Sequence, residues 1–217
     1  MKQITKFWSW FLDNEEAIKN ALQLDINTKE VFHHLNRNLH YISKRINFLI
    51  ISSSTNHDKY TIIFTADGYR KLFPKIIALE DKAPQLQHFI PQAFIKPIQD
   101  KTPFFAGNDE PYIFNKYEIK ISQLYMELVD YNITTKQLKI KLFIPDYDKI
   151  KDFDEIEIEM KYLVMEVIGE IALKKHIKHI EFLELPEATN GLLSLIELPD
   201  YIDYLYKINS RQKTRAI

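Results

Sequence analysis

The chain has 217 residues, a formal net charge of −1 and no cysteine. A balanced charge gives no electrostatic attraction to nucleic acid or to an anionic membrane. A chain without cysteine forms no disulfides and fits a reducing compartment. Only four glycines occur, and no glycine-rich phosphate-binding motif is present. No apolar run reaches the roughly 20 residues that cross a bilayer. We therefore expect a cytoplasmic protein with no cofactor and with neither nucleic acid nor membrane among its partners.

Apolar residues recur with helical spacing at the beginning of the chain and predict a long first helix. They are Ile4, Phe7, Trp8, Phe11, Leu12, Ile18 and Leu22. Asp13 followed by Glu16 has the form of a capping box and could instead restart the helix at that point. Asn27 followed by Glu30 has the same form and predicts the beginning of a second helix.

Two pairs of strand-like runs predict two β-hairpins. The first pair, 45–54 and 60–66, is rich in Ile, Phe and Thr and flanks a polar turn at 55–59. The second pair, 124–131 and 137–144, has the same form. Each pair is followed by a helix and then by a further strand. The predicted helices are 69–82 and 154–173, and the predicted further strands are 88–95 and 177–185.

The order strand–strand–helix–strand thus occurs at about 45–95 and again at about 124–185, without residue-level identity between the copies. We expect an α+β fold with a mostly antiparallel sheet, helices packed on it and two N-terminal helices. The repeated ββαβ order is at most an architectural duplication. Pro91 indicates an edge position in the sheet for the strand 88–95, or a bulge within it. A single domain over 1–206 is predicted, followed by a flexible basic tail at 207–217.

The remaining segments carry weaker patterns. Residues 112–121 predict one strand, the polar stretch 145–152 predicts a linker, and 199–206 predicts a short helix. The loop 100–111 contains Pro103, Gly107, Asn108 and Pro111 and is the best candidate for a mobile segment.

Four short motifs resemble those of an uncharacterised family of bacterial proteins. They are Phe-Trp-Ser-Trp-Phe at 7–11, Thr-Ala-Asp-Gly at 65–68, Ala-Pro-Gln-Leu at 83–86 and Ala-Phe at 93–94. The resemblance is clearest up to Pro97. It implies a protein with an N-terminal helix that carries Trp-x-Trp-Phe, and it supports the predicted fold class. It implies no activity and no catalytic residues.

Aromatic residues supply the candidates for a partner-binding surface. Trp10 lies off the apolar stripe of the first helix, whereas Trp8 lies on it, and tryptophan is enriched at the centres of protein interfaces. Packing inside a wide buried face is the alternative interpretation, because tryptophan is highly buried on average. Phe104 and Phe105 lie in the loop 100–111 and are the second pair of candidates.

Acidic residues supply a different set of candidates. Glu166 and Glu170 are one turn apart on the predicted helix 154–173, and Asp67 follows a predicted strand. Such carboxylates could hold a metal or transfer a proton. A solvated helix face is the preferred explanation of the two glutamates, because glutamate is rarely buried unpaired, and His176 and His179 then belong to an exposed helix end. An N-cap role for the predicted helix 69–82 explains Asp67.

The favoured hypothesis is therefore a non-enzymatic protein-binding module that acts on a protein partner or forms a homo-oligomer. It depends on the aromatic content, which is 13% of the chain, and on the missing nucleophile, phosphate-loop and metal-site motifs. The alternative is a carboxylate- or metal-dependent hydrolase that uses Asp67, Glu166 or Glu170.

Overall fold

The computed structural model describes residues 2–52 and 59–214, with side chains described up to residue 208. Its fold is α+β, with mostly antiparallel sheets, as predicted. The chain divides into two compact units, Met1–Ile95 and Lys96–Ile217. Each unit has a hydrophobic core of its own. The predicted turn at 55–59 lies almost entirely outside the described residues.

The first unit begins with two helices, α1 (Lys2–Leu24) and α2 (Thr28–His40). The first helix is continuous through Asp13, so the alternative of a restart there is wrong. The second helix begins where predicted, but not through a capping box. Asn27 has a left-handed backbone with φ of 52° and makes no capping hydrogen bond with its side chain.

Three strands form the sheet of the first unit: β1 (Asn47–Ser52), β2 (Tyr60–Thr65) and β3 (Phe89–Ala93). The first two are antiparallel, with Asn47 opposite Thr65, which confirms the first hairpin. β3 pairs parallel with β2 at the edge of the sheet, where Pro91 does not break a ladder on both sides.

A 3₁₀ turn at Arg70–Leu72 and helix α3 (Phe73–Asp81) connect β2 to β3. The prediction that Asp67 caps this helix is wrong. Asp67 has a φ of 48°, and its carboxylate accepts a hydrogen bond from the side-chain amide of Asn47 at 2.9 Å. Its backbone N–H donates to the hydroxyl of Thr65 at 3.0 Å. Asp67 therefore shapes the turn that follows β2.

The core of the first unit is aromatic and lies between α1 and the sheet. Phe7, Trp8 and Phe11 project from one side of α1 and contact Phe64 of β2 and Phe89 of β3. The contacting rings are 5.3 to 5.8 Å apart and nearly perpendicular. Edge-to-face pairs of this kind stabilise by about 0.5–1.5 kcal/mol each beyond the burial of their area.

Polar contacts also tie α1 to the beginning of β3. The buried carboxylate of Glu15 accepts a hydrogen bond from the backbone N–H of His88 at 2.6 Å. The imidazole of His88 lies 2.9 Å from the carboxylate of Glu16. A buried carboxylate is thereby satisfied, as burial of a polar group requires.

The second unit begins with helix α4 (Thr102–Phe105) and a two-stranded hairpin, β4 (Tyr112–Phe114) and β5 (Tyr117–Ile119). The prediction of one strand over 112–121 is therefore wrong. Asn115 adopts a φ of 54°, a left-handed conformation that asparagine tolerates and that reverses the chain.

Four strands form the larger sheet: β6 (Tyr125–Asn132), β7 (Gln137–Ile144), β8 (Ile177–Glu184) and β9 (Leu193–Ser194). Their order is β8-β7-β6-β9. The antiparallel pair β6–β7 confirms the second hairpin. β8 runs parallel to β7. The two-residue strand β9 was not predicted, because it is too short to show a period.

Three helices connect β7 to β8: α5 (Tyr147–Ile150), α6 (Ile156–Ile168) and α7 (Glu170–His176). The predicted single helix over 154–173 is broken at Gly169, whose φ of 81° and ψ of 152° lie in a region that only glycine adopts readily. The predicted linker at 145–152 contains α5.

Helix α8 (Leu198–Thr214) follows β9 and is longer than the helix predicted at 199–206. Residues 207–214 are helical where the sequence predicts a tail, and the last three residues lie outside the described part. The flexibility of the tail and the single domain over 1–206 stay predictions.

Candidate functional site

Helix α1 divides its two tryptophans between the core and the surface. Trp8 is 3% exposed, and its indole N–H donates a hydrogen bond to the backbone oxygen of Leu79 on α3 at 3.0 Å. Its bulk and its one polar atom are both used inside the first unit. Trp8 is therefore a core residue and offers no surface to a partner.

Trp10 is half-buried and lines an open cleft between α1 and α2 of about 410 Å³. The residues lining this cleft are Trp10, Asn14, Ala17, Asn27, Glu30, Val31 and His34. The side-chain amide of Asn14 donates to the backbone oxygen of Trp10 at 2.7 Å. This hydrogen bond lies within α1 and uses the backbone of Trp10 and not its indole, which stays partly exposed.

A second cleft of about 350 Å³ follows between the same two helices. It is lined by Gln3, Lys6, Phe7, Asn38 and Tyr41. The beginning of α1 thus lies beside the end of α2, so that the two helices run in opposite directions. We call the residues lining both clefts the α1–α2 groove.

The groove has a half-buried floor and an exposed rim. Trp10, Asn14, Val31 and Asn38 are half-buried, whereas the charged lining residues are exposed. Tyr41 is 61% exposed, and its hydroxyl accepts a hydrogen bond from Nε of Arg37 at 3.1 Å. A floor of this kind offers aromatic and aliphatic surface between polar edges, which is typical of protein-binding surfaces.

The second pair of aromatic candidates lies on α4. Phe104 is half-buried against the core of the second unit, whereas Phe105 is 61% exposed. The carboxylate of Asp100 accepts the backbone N–H of Thr102 at 2.9 Å, and Lys101 forms an ion pair with Asp200 at 2.8 Å. Phe105 is thus a single exposed ring on a short helix that is held at its N-terminal side, without a cleft beside it among those described.

The acidic candidates fall in different units. Asp67 is exposed and lies in the first unit, in the turn after β2. Glu166 and Glu170 lie in the second unit, on α6 and α7. The interpretation of a solvated helix face is wrong for both glutamates, because Glu166 is half-buried and Glu170 is 1% exposed.

Glu166 has a protein partner in Tyr112 of β4, whose hydroxyl donates a hydrogen bond to its carboxylate. Burial raises the pKa of Glu166 above its ordinary value, and this hydrogen bond offsets part of the rise. Burial is the main cause that raises the pKa of Tyr112. The hydrogen bond with Glu166 and the nearby carboxylates of Glu166 and Glu159 raise it further. The contact joins the β4–β5 hairpin to α6 and gives the half-buried carboxylate of Glu166 a hydrogen-bond partner within the protein.

The structure shows no arrangement of ligands around these acids. Across residues 2–52 and 59–214, no group of three or more histidines, aspartates or glutamates is placed so that it could hold a metal ion. Glu170 begins α7 directly after Gly169, where a carboxylate interacts favourably with the helix dipole.

One polar cluster, around His176, was not predicted. His176 is 7% exposed, and its Nδ1 lies 3.3 Å from the backbone oxygen of Lys136 and 3.5 Å from the hydroxyl of Tyr206. Burial lowers the pKa of His176. The expectation that this histidine is exposed is wrong, because Tyr206 of α8 packs against it. Such coverage depends on tertiary packing and has no local sequence signal.

The chain matches no family model, no curated protein and no solved structure in the comparisons with known proteins. The resemblance to an uncharacterised bacterial family therefore stays a prediction. No helix within the described ranges is both long and apolar enough to cross a membrane.

Proposed function

We propose that the protein is a non-enzymatic, cytoplasmic protein-binding module whose α1–α2 groove packs against α-helices of a protein partner. The observation that carries the proposal is the position of Trp10, half-buried on the floor of an open cleft between α1 and α2. Grooves that accept a helix bind it through apolar anchors at helical spacing. Buried tryptophan is among the residues that contribute most to such interfaces.

The rest of the groove fits the same use. Asn14 and Asn38 can bond to polar side chains of a docked helix, while Val31 and Tyr41 add apolar contact area. The bacterial origin implied by the sequence resemblance belongs to this proposal as well.

A photo-cross-linking amino acid placed in the groove tests the proposal in cells of the source organism. We expect the cross-linker at Ala17, an exposed lining residue, to capture protein. A matched cross-linker at Ile77, which is 45% exposed on α3, should capture little. No capture at Ala17, or equal capture at both positions, would show that protein does not cover the groove.

A further inference from the structure

We infer that the partner in the α1–α2 groove is a second copy of this chain. In this dimer a two-fold axis crosses the groove at the level of Trp10, α1 packs antiparallel on α1 of the copy, and α2 packs antiparallel on α2 of the copy. The inference rests on the proposed function and names its partner. The four helices then form an antiparallel bundle with an isologous interface, the commonest form of homodimer symmetry.

The two ends of the α1–α2 pair carry opposite charges. Lys6 lines the groove at the end where α1 begins and α2 ends, and Lys2 and Arg37 are exposed at the same end of the two helices. Glu30 lines the groove towards the other end, and Asp13 is exposed on α1 towards that end. A surface with this polarity complements itself when a copy is turned end over end, because each basic end then meets an acidic end.

The spacing of the charges on α1 fixes where the axis crosses. Lys6 and Asp13 are seven residues apart, so they lie about two turns or 10 Å apart on one face of the helix. Lys6 of one copy opposes Asp13 of the other only if the axis passes midway between them. That midpoint falls between Ser9 and Trp10.

The charges on α2 give the same axis independently. Glu30 and Arg37 are also seven residues apart, and their midpoint falls between His33 and His34. The first cleft is lined by residues 10–17 of α1 and 27–34 of α2, and the second by residues 3–7 of α1 and 38–41 of α2, so on these antiparallel helices Trp10 lies at about the level of His34. One two-fold axis therefore brings both sets of opposite charges together, although nothing in the fold of a single chain requires the two spacings to agree.

The same charges reject the other two-fold arrangement. An axis parallel to the helices would place α1 of the copy over α2 without changing its level. Lys6 would then lie near Arg37 and Asp13 near Glu30. Like charges that meet across an interface destabilise it, so the charge pattern selects the end-over-end arrangement.

The charged side chains of Lys6, Asp13 and Glu30 are also available for contacts with another chain. Among the residues that the structure describes, neither Lys6 nor Asp13 forms an ion pair. Glu30 has only a distant contact, 3.8 Å from the imidazole of His34. An ion pair across the interface therefore breaks no strong contact within the monomer.

The size of the face agrees with a weak dimer. Helix α1 has 23 residues and is roughly 34 Å long, and two adjacent helices are about 20 Å wide. The resulting area of order 600 Å² approaches the ~800 Å² that each partner contributes to a standard interface. We expect a dimer that dissociates on dilution and at high salt, because its charge pairs are exposed.

Sedimentation velocity over a concentration series tests the inference on the purified full-length chain. The wild type is expected to form dimers that dissociate on dilution. Asp13→Lys places lysines opposite Lys6 at two symmetric positions and should raise the dissociation constant on the order of tenfold. The double variant Lys6→Glu/Asp13→Lys swaps the charges and should restore dimerisation. Asp81→Lys, the same change at an exposed position of α3, should have no effect.

The outcomes separate this inference from the proposed function. A wild type that stays monomeric at every concentration, or a double variant no better than Asp13→Lys, would overturn the second-copy inference. If Ala17 still captures a different protein in cells, the groove remains a binding site with another partner. If Ala17 captures nothing, both proposals fail. All three substitutions are at exposed positions, and circular dichroism of each variant checks that the helices are intact.

Discussion

The two units of the molecule contain the same ββαβ arrangement, but they cover its central strand differently. In the first unit all of the residues Thr61–Thr65 on β2 are buried. In the second unit β7 alternates between buried and half-buried residues. The sequences show the difference, because YTIIFT is a nearly continuous apolar run whereas QLKIKLFI alternates. The order of the elements therefore determines the topology, whereas the spacing of apolar residues within a strand determines which of its residues are buried.

The residue before the third strand shows a second difference. It is a histidine in both units, His88 before β3 and His176 before β8. His88 contacts the carboxylate of Glu16 at the surface of α1, whereas His176 lies buried against Tyr206. Equivalent places in a shared arrangement therefore carry different electrostatics, which are set by the helix packed beside them.

The helices outside the shared arrangement differ most. The first unit adds α1 and α2, which cover its core on one side and form a groove on the other. The proposed partner-binding surface lies on this addition and not on the ββαβ arrangement.

The largest expected effect separates the two roles of α1. Trp8→Ala should lower the free energy of unfolding by about 3–5 kcal/mol, since it removes a large buried side chain. Trp10→Ala should cost less stability, about 1–2 kcal/mol, because its ring is only half-buried. The same substitution should also weaken dimerisation. Denaturant unfolding and sedimentation measure the two effects. Equal losses of stability would mean that both tryptophans belong to the core.

A smaller effect tests the difference between the central strands. Ile63→Ala on β2 should destabilise by about 2–4 kcal/mol, because Ile63 is buried on the face opposite the aromatic core. Lys141→Ala on β7 should cost less than about 1 kcal/mol, since its main contact is an exposed ion pair with Glu127 at 3.4 Å. Comparable losses from the two substitutions would contradict the contrast between a fully buried and an alternating strand.

The smallest effect concerns the buried histidine. The pKa of His176 is lowered in the folded state, so folding favours its neutral form. Its contribution is complete above the unfolded value of about 6.5 and is lost as the pH falls below that value. His176→Gln should therefore flatten the dependence of the unfolding free energy on pH between about 6.5 and 5. An unchanged slope would show that His176 does not titrate differently on folding.

Much of the fold could be predicted because it depends on local patterns. Helical spacing predicts α1, and period-two or continuous apolar runs predict the two hairpins. The break at Gly169 was missed because a single glycine inside an apolar stripe resembles an interior helix residue. The N-cap role of Asp67 was wrong because its carboxylate bonds to Asn47, which is distant in sequence.

The candidate site was only partly predictable. The position of Trp10 off the apolar stripe identified it as a possible contact residue, and the structure places it on the floor of the groove. Trp10 and His34 line the same cleft because of how α2 packs on α1, and helical spacing alone does not determine that packing. The equal spacings of the charges on α1 and α2 indicate a common two-fold axis only once the relative level of the two helices is known.

Cysteine cross-linking tests the central claim most directly, because the chain has no cysteine of its own. In the proposed dimer, Ser9 lies beside the two-fold axis and Lys2 opposes Ala17 of the copy. Under mild oxidation Ser9→Cys should form a disulfide-linked dimer rapidly, since the two Cα atoms come within disulfide range. Lys2→Cys alone should not, whereas a mixture of Lys2→Cys and Ala17→Cys should. Cross-linking of Ser9→Cys that is no faster than that of Lys2→Cys would contradict the dimer.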